Sequence, residues 1–324
     1  MRALACPASL KGVLSAIDAS AALAGGLRDG GVDPERLPVA DGGEGTAAVL
    51  AAALGGEWHA ATVADPLGRP REARWVVLHD GTAVVESAEA IGLPGLAPAE
   101  LEPLRASSAG LGELVLAALE SSPTTLLVCL GGSATVDGGA GFREVVGDAL
   151  RGRRVLVACD VRNPLLGPRG AARAFGPQKG ATEAVVEQLE ARLAAMAELV
   201  PFALLPGAGA AGGLGAALAA LGAELVPGAA LVLERVRFAE RLRGAALVVT
   251  GEGAVDRTTT EGKASGEVLR RCREAGVRCA VFGGRIDEPI ADAELFSLSG
   301  DAGRATDDLR ELGRRLAVSL LRLA

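Results

Sequence analysis

Short apolar runs of strand length recur along this chain, and four of them end in glycine-rich turns. Amphipathic stretches alternate with these runs. The alternation specifies an α/β protein with a largely parallel sheet. Strands are expected at 3–6, 37–40, 125–130, 154–159, 246–250, 278–282 and 295–298. Helices are expected over 15–28, 45–54, 111–120, 182–199 and 266–274, with a closing helix from Ala305. Between Glu57 and Glu86 the character changes. Trp75–Leu78, the turn His79-Asp80-Gly81 and Ala83–Val85 predict an antiparallel hairpin. That break suggests two domains: a discontinuous Rossmann/flavodoxin-like α/β domain (1–60 and 244–324) with a second α/β domain (61–243) inserted.

Composition excludes several classes. The net charge of −7 and pI near 5.2 argue against a nucleic-acid partner, which favours a basic face. The five cysteines show no metal-ligand spacing and only His59 and His79 are present, so a zinc site is not expected. Reduced, buried thiols suit a cytoplasmic protein. No signal peptide is expected from the first residues. The uncharged stretch 203–223 has the length of a membrane span, but Pro206 and six glycines interrupt it. A loop feeding a buried helix is expected there, with no membrane partner.

Of 33 cationic side chains only Lys11, Lys179 and Lys263 are lysine, and each sits beside a glycine. A compact ammonium next to closely approachable backbone suits a phosphoryl oxygen. The glycine-rich segments add to this: Asp41-Gly42-Gly43-Glu44-Gly45-Thr46, the run Gly131–Gly139, and Thr250–Asp256. Asp160–Pro164 leads on to Phe175–Gly180. Successive N–H groups in such loops can cradle an anion. Acids for Mg²⁺ and lysines for phosphate together suggest nucleotide-dependent phosphoryl transfer. The P-loop pattern is absent, because Ala264 follows Gly262-Lys263. Gly207–Gly212 matches GxGxxG, but Pro206 interrupts the strand-to-loop passage, which weakens a dinucleotide reading.

These motifs, in this order, resemble the type 1 glycerate kinase family nearly end to end. The likeness is carried by Ser9–Gly12, Ala40–Thr46, Asp65–Pro70, Gly131–Thr135, Asp160–Leu165, Phe175–Ala181, Pro206–Gly215 and Thr250–Gly253. It implies two α/β domains with a cleft between them, and ATP- and Mg²⁺-dependent phosphorylation of D-glycerate, usually to 2-phosphoglycerate. Departures from the family pattern include Ala8 in place of an acid, Val13 of a hydroxyl, Val136 of an asparagine, Ala254 of an arginine and Thr258 of a glutamine.

The expected catalytic residues are Lys11, Asp41, Lys179, Asp256 and Lys263, with Asp41 and Asp256 open as Mg²⁺ ligand or base. Gly131, Gly132, Ser133 and Thr135 are expected to bind the nucleotide. Asp160, Asn163, Gln178, Glu252 and Arg285 are expected at the substrate, where Arg285 would bind the carboxylate that Ala254 has no group to reach. The partner is a small hydroxy acid, and the assembly a monomer or homodimer. The alternative is a degenerate paralogue that binds a ligand and regulates a partner without turnover.

Overall fold

The computed structural model describes residues 1–322. Its strands, in chain order, are β1 (Arg2–Pro7), β2 (Asp33–Arg36), β3 (Gly56–Ala64), β4 (Pro70–Leu78), β5 (Thr82–Glu86) and β6 (Thr125–Cys129). They continue with β7 (Val155–Cys159), β8 (Glu224–Pro227), β9 (Leu247–Val255), β10 (Cys279–Ile286) and β11 (Glu294–Ser297). Two compact units divide the chain. The first takes Met1–Asp41, Ala48–Ala53 and the chain from Ala229 onward; the second takes Gly42–Ala47 and Leu54–Gly228.

The sheet of the first unit is wholly parallel, in the order β2-β1-β9-β10-β11. Numbered within the unit this is 2-1-3-4-5, the flavodoxin-like order, whose switch point falls between β1 and β9. Helices Ala16–Asp29 and Ala305–Arg322 cover one face over Ala3, Ala5, Leu247, Val249, Ala280 and Phe282. Both helices are strongly one-sided in sequence, so their apolar stripes meet the sheet and each other. Ser15 caps the first, its Oγ accepting the Asp18 N–H at 3.1 Å.

Glycine lets these two helices approach. A Cβ on Gly26 would lie 1.8 Å from the Arg310 carbonyl oxygen. Alanine gains about 1 kcal/mol of helix propensity over glycine, but overpacking of backbone on backbone costs about 3 kcal/mol. Gly26→Ala is therefore expected to destabilise by roughly 2 kcal/mol net. Urea unfolding should show a lower midpoint at unchanged slope, and a midpoint at or above that of the wild type contradicts this packing.

The second unit has a six-stranded sheet, β3-β4-β5-β6-β7-β8. The expected hairpin is present, with Trp75 opposite Val85, and β3 extends it as a third antiparallel strand. From β5 to β8 the strands are parallel and in sequence order. The loops after β5, β6 and β7 consequently leave the same edge of this sheet. Helices Ala109–Glu120, Ala140–Val146 and Ala210–Ala220 pack around Leu111, Leu126, Val128, Phe142 and Leu214. The five cysteines are free and buried, as expected.

Two expectations need correction. The strand placed at 37–40 lies instead at 33–36. Leu37 and Val39 are buried and still donate to Ala5 O and Pro7 O, but they have left the regular ladder. The glycine segment expected as a loop after residue 250 is largely strand, since β9 continues to Val255 beside β10. Glycines allow this close pairing: a Cβ on Gly284 would lie 2.6 Å from the Gly253 carbonyl oxygen.

Candidate active site

In the first unit the site grows from the carboxyl ends of β1, β2 and β9. Pro7 pairs with Gly251, and the Ala8 N–H donates to the Gly251 carbonyl at 2.9 Å. The loop carrying Lys11 is thereby held beside β9, and a Cβ on Gly253 would lie 3.6 Å from the Lys11 nitrogen. Ala8 keeps this backbone link although its side chain departs from the family pattern. Lys11 itself is exposed, at a turn where Gly12 takes φ +72°.

Glu252, Asp256 and Lys263 are brought together directly. Lys263 Nζ lies 3.0 Å from Glu252 Oε2 and 3.5 Å from Asp256 Oδ1. Asp41, just past β2, is close enough for its charge to be felt at Glu252. Burial, opposed by Lys263 and the Thr259 hydroxyl, leaves the Glu252 carboxyl above its ordinary pKa, with Asp41 adding to the rise. Burial lowers the Lys263 pKa, but Glu252 and Asp256 outweigh it and the ammonium is held charged. The Thr258 hydroxyl, helped by Lys263 against partial burial, holds Asp256 below the usual carboxylate range. Asp256 also caps the short 3-10 helix Arg257–Glu261, accepting the Thr258 N–H at 2.8 Å.

Glu252 Oε1 is buried and has no hydrogen-bond partner. A buried carboxylate oxygen without a protein partner, in a charged cluster at a switch point, is where a cation or a donor group would sit. Among the described residues no group of three or more His, Cys, Asp or Glu side chains could hold a metal ion. Mg²⁺ usually takes one or two carboxylates and completes its shell with water and phosphate. Arg285 sits on β10 in register with Ala254; its side chain is 72 % exposed and pairs with Asp287 at 2.8 Å.

The second unit brings Ser133, Thr135 and Lys179 together. Lys179 is only 2 % exposed, and its Nζ donates to Ser133 Oγ at 3.1 Å and to the Thr135 carbonyl at 2.7 Å. Burial, opposed by the charge of Asp137, pushes its pKa down to about 7. Thr135 Oγ1 is buried without a partner, and Gly132 is exposed at φ +65°. An exposed glycine turn above a buried cation and a spare hydroxyl can receive an anion. Asp160 follows β7 and is half-buried. Asn163 instead ties its own loop, donating from Nδ2 to Arg169 O at 2.7 Å, and Gln178 is exposed.

The motif reading missed Glu86, Ser87 and Thr259. Thr259 is fully buried; its Oγ1 accepts the Asp256 N–H at 3.1 Å, and its hydroxyl helps hold down the Glu252 pKa. Glu86, 6 % exposed, accepts the N–H groups of Gly45 at 3.0 Å and Ala47 at 2.6 Å. The available signal was an acid closing an otherwise uncharged strand, Thr82-Ala83-Val84-Val85-Glu86.

A model of the glycerate kinase family matches residues 3–152 and 143–303. The chain belongs to the glycerate kinase family. It is 43 % identical to the glycerate 2-kinase of Escherichia coli K12, over 81 % of this chain and 80 % of that protein. A glycerate kinase of Bacillus subtilis 168 is 39 % identical over 81 % and 79 % of the respective chains. A crystal structure from Salmonella typhimurium LT2, of a protein provisionally designated glycerate kinase 2, superposes with a TM-score of 0.85 at 33 % identity, covering 99 % of this chain and 98 % of that one. Membership of this family makes the chain a kinase and disfavours the non-catalytic alternative. Among the described residues no helix is long and apolar enough to cross a membrane.

Proposed function

We propose that this kinase transfers the γ-phosphoryl group of ATP to D-glycerate, giving 2-phosphoglycerate, with Mg²⁺ as the cation. The observation that carries the reading is the Glu252–Lys263–Asp256 set with its unpartnered Glu252 Oε1, at the switch point of a family member's parallel sheet. Bound Mg·ATP supplies an activated phosphoryl group and neutralises part of its charge. The protein's task is then mainly positioning and charge stabilisation.

Each group has a role in this reading. Asp41 and Glu252 hold the cation or accept the hydroxyl proton. Lys263 keeps the two neighbouring acids ionised and can turn toward a developing phosphate charge. Lys11, exposed on its glycine turn, reaches the substrate carboxylate or a phosphate oxygen. In the second unit the Gly131–Thr135 loop receives phosphate through its N–H groups and hydroxyls, while Lys179 holds that loop from beneath. Asp160 orients a substrate hydroxyl, and Arg285 is free to swing from Asp287 to a carboxylate.

A coupled ADP-release assay with D-glycerate, beside a panel of short hydroxy acids, tests the reading, and NMR of the product distinguishes 2- from 3-phosphorylation. Folded protein that releases no ADP above background with Mg²⁺ and D-glycerate would sink it. Asp41→Asn is expected to lower kcat by about a hundredfold at little cost in stability, the loss of a group acting mainly in the transition state. An unchanged kcat removes Asp41 from the mechanism.

A further inference from the structure

We propose that Glu86 and Ser87 are positioning residues: a two-residue junction at the end of β5 that sets the Gly42–Ala47 loop against the Gly131–Thr135 loop for phosphoryl transfer. The inference rests on the kinase reading above, and all its residues lie in the second unit.

The helix Thr46–Leu54 begins without a capping side chain, because the residue before it is Gly45. Its first N–H groups have no partner within the helix. Glu86, 39 residues beyond Ala47, fills that role, one oxygen taking the Gly45 N–H and the other the Ala47 N–H. The adjacent Ser87 is fully buried and serves the other loop. Its Oγ donates to Gly131 O at 2.8 Å and accepts the Gly131 N–H at 3.0 Å. Consecutive side chains therefore hold one loop each.

The two loops are also in backbone contact. A Cβ on Gly131 would lie 2.9 Å from Gly43 Cα and 3.3 Å from the Glu44 nitrogen. A Cβ on Gly132 would lie 3.5 Å from Glu44 Oε2, so the Glu44 carboxylate sits beside the glycine turn. Small displacements of either loop would move this carboxylate relative to the N–H groups of the other.

Stability alone is a poor reason for Glu86. A buried carboxylate is costly unless paired with a cation, and its partners here are two backbone N–H groups. The neighbouring charges, Glu89 and Glu44, are both acidic. Burial, opposed by those two hydrogen bonds and reinforced by the acids, pushes the Glu86 pKa up to about 7. A side chain that accepts two divergent donors at such a cost is spent on geometry.

The test uses the full chain with Glu86→Gln, Glu86→Asp and Ser87→Ala. Amide hydrogen exchange of the unliganded proteins is expected to rise about tenfold at residues 42–47 in Glu86→Gln and at 131–135 in Ser87→Ala. With ATP and D-glycerate, kcat is expected to fall by about ten- to a hundredfold, as for a misplaced reacting group. The KM for the acid should stay within about twofold, the mark of an effect confined to the transition state. Glu86→Asp, which keeps the carboxylate, should recover part of the loss. Unchanged exchange at both loops overturns the proposal. So does a rate loss that tracks the thermal midpoint equally in all three variants, since that is a structural role only. Exchange needs no substrate, so a wild-type protein inactive on D-glycerate would overturn the activity reading and leave the junction to be judged by exchange.

Discussion

Lys263→Met should lower kcat/KM with ATP and D-glycerate by about a hundredfold or more, as for loss of a charged donor acting on the transition state. The ammonium lies 3.0 Å from Glu252 Oε2 and 3.5 Å from Asp256 Oδ1, and methionine has neither charge nor donor. Glu252, with 12 % of its side chain exposed, would then be a buried carboxylate without its cation. Breaking a fully buried pair costs about 3–5 kcal/mol; Lys263 is 25 % exposed, so about 1–3 kcal/mol is expected here.

The loss should depend on pH in a defined direction. The folded Glu252 pKa is already raised, and removing Lys263 raises it further. Above the unfolded carboxylate value the folded state then binds more protons than the unfolded state, so stability falls as pH rises through the folded pKa. Lys263→Met should therefore lose more stability at neutral than at acid pH. Thermal midpoints across pH, with steady-state kinetics, check both parts. A variant within about threefold of wild-type kcat/KM would place Lys263 outside the mechanism.

Lys179→Met is the second large effect, and here stability and activity should part. The buried Lys179 has its pKa lowered to about 7 from 10.5. Between those values the unfolded state binds the extra proton, so folding stability rises with pH by about 1.4 kcal/mol per unit. Methionine removes this dependence. Relative to the variant, the wild type should gain about 4 kcal/mol from pH 7 to 10, and nothing below pH 7. Near pH 7 the variant's advantage from removing a buried cation is offset by unpaired Ser133 Oγ and Thr135 O, each costing about 1–3 kcal/mol. Activity should fall at every pH, because the glycine turn loses its support. Parallel pH slopes for the two proteins would show that Lys179 is not desolvated as described.

Both predictions concern lysines in a chain whose other cationic side chains are all arginine, Lys11 apart. Lys179 Nζ is buried as a point charge between Ser133 Oγ and Thr135 O. Lys263 reaches two carboxylates as a point charge. The chemical reason for reading them from sequence, a compact ammonium beside glycine, therefore has a physical counterpart in both places. For Lys11 the counterpart is weaker, because it is exposed on a turn and its use depends on a ligand.

The amino-acid sequence by itself determined the α/β class, the hairpin at 75–85, the ordered family motifs and the residue types available for phosphoryl transfer. Those are local matters: periodicity, turn chemistry and residue identity are written in short windows. Only the tertiary structure decided which of these residues meet. Lys179 and Ser133, 46 positions apart, bond because strand order and a 3-10 turn place them together. Whether Gly251–Val255 was loop or strand depended on β10 being alongside, with glycines of both strands allowing close approach. Glu86 was missed as a site residue because a lone acid ending a strand, though unusual, carries no motif. Its meaning comes from a helix start 39 residues earlier, whose missing cap no local pattern could assign to it. Hydrogen-bond demand is a property of the folded chain: a donor unsatisfied in its own segment recruits whatever acceptor the topology brings near.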